Sequence, residues 1–200
     1  MYITASCQIS NRVVYKNGKP VYENSGDNVS AFLVAAYRHF GIQYPKFFKM
    51  DNLSKLGWLA AELLLQDDFD KEKYQPEAVG VILANASSSL DTDLKYYETV
   101  KEIASPALFV YTLPNIVTGE ICIRHKFKGE NAFFVAESFD ADFIEQYVSG
   151  LVNNGVMEAC ICGWVELMGE QYKTVLFLVE KMNTESSVPF SGENIYKTFI

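Results

Sequence analysis

Histidine is scarce in this sequence: the 200 residues contain two, His39 and His125. Cysteine is limited to Cys7, Cys122, Cys160 and Cys162, each within an apolar segment. Zinc sites need clustered Cys and His ligands, so no metal site is expected. The same settings read as buried free thiols rather than a disulfide framework. Cys160 and Cys162 stand two apart on an expected strand and therefore point the same way. Positive charge is also in deficit. There are 17 Lys and Arg against 25 Asp and Glu, a formal net charge of −8. Such a surface repels nucleic acid and anionic membrane, and neither is expected as a partner. No apolar run is long enough to span a bilayer, and Met1-Tyr-Ile-Thr lacks the basic start of a signal peptide, so a cytoplasmic location is expected. The run Ser87-Ser88-Ser89 lacks the glycines and lysine of a phosphate-binding loop and reads as a plain turn. Repeats and low-complexity runs are absent, and nothing implies a cofactor.

What is present suits one domain over residues 1–200, because 49% of the residues are apolar, enough for a real core. Tyr2 to Ile9 reads as a strand, and VVYKNGKPVY within Val13 to Tyr22 reads as a hairpin about Asn17-Gly18. Asn28 or Ser30 opens a helix with Phe32, Leu33, Ala36, Tyr37 and Phe40 on one face, closed by Gly41. Asn52 or Ser54 opens a second, with Leu53, Leu56, Leu59, Leu63 and Leu64 inward and Lys55 and Trp58 nearer its edge. Val79 to Asn85 is almost wholly apolar, as a strand covered on both faces should be. Asp91 starts a helix over Thr92 to Ile103, Ser105-Pro106 breaks it, and Leu113-Pro114-Asn115 opens another toward Cys122. Lys173 to Glu180 is a last buried strand. Alternating strands and helices predict a layered α/β domain.

The chain is organised around GENAFFVAESFDADFIEQYVSGLVNNGVMEACICGWVE, Gly129 to Glu166. A short apolar strand, Asn131 to Ala136, leads through Glu137-Ser138 into a helical pattern. Phe139, Phe143, Tyr147 and Leu151, with Ile144 and Val148, form its apolar face. Asp140, Asp142 and Glu145 suit the positive end of the helix dipole, and Asn153-Asn154-Gly155 closes it. Cys160 to Cys162 begins another strand, followed by Gly163.

This stretch resembles the nucleophile region of the β-ketoacyl synthases, in the thiolase-like superfamily. Gly129, Gly155, Gly163 and Glu166 fall on the family's landmarks without a gap. Lys49 to Leu56, Val79 to Ala84, Ser105-Pro106, Leu113-Pro114-Asn115 and Gly119-Glu120-Ile121 extend the likeness in order. The resemblance implies a single thiolase-like half: layers α/β/α about a mixed, mostly parallel five-stranded sheet. It places Ser138 at the nucleophile position, where the family has cysteine, with Glu137 beside it. No motif of the family's second half, with its catalytic histidines, occurs in these residues. A serine without a base is a poor nucleophile, so the chain alone is not expected to condense acyl groups.

The expectation is a non-catalytic, chain-length-factor-like subunit of fatty acid or polyketide-type biosynthesis. It resembles the small ketosynthase-like proteins of aryl polyene and dialkylresorcinol-type clusters. The partner implied is a full-length ketosynthase, or a second copy of the chain. Acidic acyl carrier proteins are met only indirectly, since this chain shares their charge. The resemblance makes Asn131, Ala132, Phe133, Phe134, Val135 and Ala136 an edge strand at that interface. Two alternatives stay open: an esterase or thioesterase using Ser138, and a homodimeric acyl-binding protein. Ser138 equally reads as the N-cap of a helix starting at 139, Glu137 as a solvated carboxylate, and both histidines as structural.

Overall fold

The computed structural model describes residues 1–25, 28–183 and 187–200. Tyr2–Ser10 (β1) alternates half-buried and buried positions, the period-two pattern of a strand with one well-covered face. It turns into Val13–Lys16 (β2) and Lys19–Glu23 (β3). Asn17 and Gly18, with φ of 50° and 74°, make the two-residue turn that joins these last two strands. Val79–Asn85 (β4), Asn131–Val135 (β5), Ala159–Met168 (β6), Gln171–Glu180 (β7) and Val188–Pro189 (β8) complete one sheet. Its order is β3-β2-β1-β7-β6-β4-β5, with β8 on β1.

β4 pairs parallel with β5 and β6, and β7 pairs antiparallel with both β6 and β1. The five expected strands are thus present, and in the run β1-β7-β6-β4-β5 all but β7 point the same way. Three short strands, β2, β3 and β8, extend the sheet beyond the expected five.

Helices Val29–His39 (α1), Asn52–Leu65 (α2) and Ile116–His125 (α5) cover one face. Leu90–Val100 (α3) and the short Pro106–Phe109 (α4) lie between α2 and α5 in the chain. The other face is covered by Ala141–Asn153 (α6) and Gly192–Phe199 (α7). α2 is the central helix of its layer and is buried almost all round. A Cβ at Gly57 would collide with the Val117 side chain of α5, so only glycine allows the two helices to approach this closely.

Several expectations need correction. Trp58 is fully buried, not marginal, because Tyr44, Phe47 and Tyr37 close over it. Asp51, not Asn52 or Ser54, caps α2, accepting the Ser54 N–H at 2.9 Å. α3 runs from Leu90 to Val100, not from 92 to 103, and Ser105-Pro106 begins α4, with Ser105 Oγ accepting the Leu108 N–H. The thiols are free as expected. Burial pushes Cys7 up to about 12, against a small opposing effect of Lys16, and half-buried Cys122 up to about 11.

Candidate functional site

The carboxyl ends of β4, β5 and β6 lie side by side, and the candidate residues sit just beyond them. After β4, Asn85 folds its amide onto Ser88, with Oδ1 accepting the Ser88 N–H at 2.9 Å and Nδ2 donating to the Ser88 carbonyl at 2.8 Å. Glu166, near the end of β6, accepts the Ala86 and Ser87 N–H groups on Oε2 at 2.6 and 3.2 Å. The landmark carboxylate therefore anchors the loop leaving the neighbouring strand. Gly163 is required for a different reason. Its φ is 144°, and a Cβ there would overlap the Val175 carbonyl oxygen of β7. A Cβ at Gly129 would likewise meet the Val79 carbonyl.

β5 delivers Ala136, Glu137 and Ser138 to this end, all exposed. Ser138 does not cap α6. Asp140 does, accepting the Phe143 N–H on Oδ1 at 2.8 Å, because the helix begins at 141 rather than 139. Ser138 instead borders a shallow groove with Asp140 and Asp142 at the start of α6 and Glu193 and Tyr196 of α7. Phe139 turns inward, stacked on Phe199 at 4.2 Å and edge-on to Trp164 at 5.8 Å. This use of the final helix was not legible beforehand.

Neither histidine reaches Ser138. His39 is exposed and lies 4.5 Å from the Tyr22 ring of β3, the opposite edge strand of the sheet. His125 ends α5, before β5 begins, so the length of that strand separates it from Ser138. Its Nε2 lies 2.7 Å from Glu62 Oε1. Arg124 donates to both oxygens of the same carboxylate, from Nε at 3.0 Å and Nη2 at 3.1 Å. Burial alone would raise the Glu62 pKa, but the neighbouring His125 and the hydrogen bonds from Arg124 outweigh it and hold the group below its ordinary value. Neither histidine can serve Ser138 from these positions.

β5 is the margin of the sheet. Among the described residues it pairs with β4 alone. Glu130 C=O accepts the Val81 N–H at 2.9 Å, and Ala136 N–H donates to Asn85 C=O at 2.9 Å. A parallel ladder takes both polar groups of alternate residues. Residues 130, 132, 134 and 136 therefore face β4, and the N–H and C=O groups of Asn131, Phe133 and Val135 face outward. The Val135 side chain is 57% exposed. Phe134 is held edge-on by Phe143 and Tyr147 at 4.9 and 5.0 Å. A second apolar surface lies on α3 and α4. Leu90, Leu94 and Tyr97, at four- and three-residue steps, share one exposed face, and Phe109, Val110 and Leu113 follow. Hydrogen bonds from Thr92 Oγ1 to Asp51 and from the Gly169 N–H to Asp91 fix the start of α3.

The family model of the β-ketoacyl synthase N-terminal domain matches residues 6–191. The chain belongs to that family. Among solved structures it is similar to the ishigamide ketosynthase/chain length factor, with TM-score 0.64, 18% identity, and coverage of 92% of this chain and 63% of that one. It is also similar to the ketosynthase ApeO in complex with its chain length factor ApeC from Xenorhabdus doucetiae, at TM-score 0.54 and 14% identity over 70% of this chain and 63% of that one. A β-ketoacyl synthase from Burkholderia phymatum STM815 gives TM-score 0.61 and 12% identity over 90% of this chain and 59% of that one. The chain thus spans less than two thirds of these relatives. At such identities the likeness establishes the fold. No curated protein matches the sequence. Among the described residues no three of His, Cys, Asp and Glu converge to hold a metal, and no helix is long and apolar enough to cross a membrane.

Proposed function

We propose that residues 1–200 act as a single non-catalytic ketosynthase-like domain that pairs with a full-length ketosynthase in fatty acid or polyketide-type biosynthesis. The observation that carries this reading is the open edge of β5. Its outward backbone groups invite strand addition, and its flanking side chains are apolar. A strand of 5 residues is too short for a specific interface of about 800 Å² per partner. The chain leaves the carboxyl end of β4 into α3 and α4, whose exposed apolar face offers further area for a partner. A subunit docked on both surfaces would place α3 and α4 against the partner, where they can bound the space for a growing acyl chain. The solved relatives include a ketosynthase in complex with its chain length factor, which supports the pairing.

A hydrolase using Ser138 is disfavoured. Proton removal from serine needs a base, and both histidines lie elsewhere. The groove beside Ser138 is lined by Asp140, Asp142 and Glu193, whose charge opposes a developing alkoxide. The test is co-expression in the cytoplasm with full-length ketosynthases from the same genome, one of them tagged. Co-elution in a one-to-one complex is expected. Elution as a homodimer would keep the strand edge and replace the partner; a stable monomer that ignores every ketosynthase overturns the proposal.

A further inference from the structure

A cavity of about 860 Å³ opens at the end of the molecule away from Ser138, beside the first residue of β4. It lies where α1, α2 and α5 all end, and the segment between Gln66 and Pro76 closes its side. Its lining is largely polar, with a cluster of aromatic rings set into it. Phe69 stacks on Tyr74 at 5.5 Å with the rings 2° from parallel, and meets Phe127 edge-on at 5.8 Å. Leu65 and Val79 are buried behind them.

The charge of the lining is unlike that of the chain. Glu62 is already neutralised by Arg124, with His125 on the same carboxylate. Lys71 and Lys126 are exposed on the lining and form no ion pair among the described residues. Against them stands Glu72, which is exposed and, among the described residues, is bonded through its backbone N–H to Asp70 and forms no ion pair. Within the lining itself this leaves two unpaired lysines against one glutamate, while Tyr74 donates outward to Glu180 at 2.6 Å and also feels Glu158 and Asp70. A volume in this range suits a small molecule, and the aromatic cluster and the charged groups offer it separate places for an apolar body and a polar end.

We infer that this cavity is a second ligand site, for a small amphipathic anion: an aromatic or acyl body carrying one carboxylate or phosphate. The body lies against Phe69 and Phe127, and the anionic end meets Lys71 and Lys126. The Glu62 carboxylate is shielded from the ligand by its own two partners. The site is separate from the pairing surface, so its fate does not bear on the proposed subunit role.

The test uses the whole chain, isotopically labelled, with 2-naphthoate, 2-naphthylmethylamine and inorganic phosphate as probes in NMR titrations. Naphthoate should shift the amides of Gly41, Gln66, Lys126 and Phe127 in a saturable manner. The amine, with the same ring and opposite charge, should bind at least about tenfold more weakly, and phosphate alone no better than the amine. The double variant Lys71→Gln, Lys126→Asn should weaken naphthoate about tenfold. Asn suits the left-handed backbone at 126, where φ is 62°, so the fold is kept. Equal binding of amine and naphthoate, shifts gathered around Ser138 or scattered over the surface, or a double variant that binds as the parent does would each overturn the site.

Discussion

Val135→Pro separates the pairing edge from the fold. The Val135 N–H points away from β4, so a proline there removes no hydrogen bond inside the sheet. Proline is tolerated where a strand's N–H faces solvent, and the extended conformation it asks of Phe134 is already present. The cost to the isolated chain should stay below about 1 kcal/mol, a melting shift of less than about 4 °C for a chain of this size. At the interface the accounting differs. The partner's carbonyl opposite Val135 loses its donor and is left buried, which costs about 1–3 kcal/mol. The ring also stands in the path of the incoming strand. Affinity for the ketosynthase should fall by at least about 5- to 150-fold. Phe134→Pro is the control. Its N–H faces β4, so it breaks the central ladder, loses an aromatic packed on α6, and should cost about 3 kcal/mol or more. Circular dichroism melts on each variant, with calorimetric titration against the purified ketosynthase, give the readout. A Val135→Pro chain that folds normally and binds as tightly as the parent refutes the edge-pairing argument. A Val135→Pro chain that unfolds like Phe134→Pro refutes the ladder assignment.

Asp140→Ala should lower stability by about 1 kcal/mol, seen as a melting shift of about 2–4 °C, while Ser138→Ala should leave melting and any pairing unchanged; the reverse ranking would return the cap to Ser138. Gly163→Ala should cost at least about 3 kcal/mol because of the Val175 carbonyl, whereas Gly155→Ala, with φ 72° and open space, should cost about 1–2 kcal/mol; soluble yield and melting temperature compare them. Glu62→Gln should cost about 1–3 kcal/mol at neutral pH. Because the folded pKa of Glu62 is depressed, its contribution is fully present above the unfolded value near 4.5 and is lost as pH falls through the folded one. The gap in melting temperature between parent and Glu62→Gln should therefore narrow on going from pH 5 to pH 3, and a gap that widens there contradicts the clamp.

Local pattern carried much of the architecture into view. The unbroken apolar run of β4, the apolar stripe of α6 and the Asn17-Gly18 turn each depend on neighbours within a few residues. What stayed hidden depends on contacts made at long range. Asp51 and Asp140 won the capping positions over adjacent Asn and Ser residues, and any of these side chains can cap; the backbone entry angle decides. Trp58 looked marginal because the aromatic residues that cover it arrive from the segment before α2. The role of α7 emerges only when Phe199 is seen against Phe139. The edge position of β5 came from the family resemblance, but the parity of its outward groups required the ladder itself. Of the candidate site residues, Ser138 proved to border the groove at the start of α6 rather than to cap the helix, and the Glu166 anchor had no local signal.

Gly57 seated against Val117 and the Glu62 carboxylate gripped by Arg124 and His125 bind α2 to α5 at both ends of their contact. α5 runs on through a tight turn into β5, so the sheet's open margin inherits that rigidity. A margin held in its final shape has little ordering left to do on encounter. The proposed association with a partner would then be governed by diffusion and orientation, at about 10⁵–10⁷ M⁻¹s⁻¹, and discrimination between rival partners would be expressed in how slowly the right one leaves.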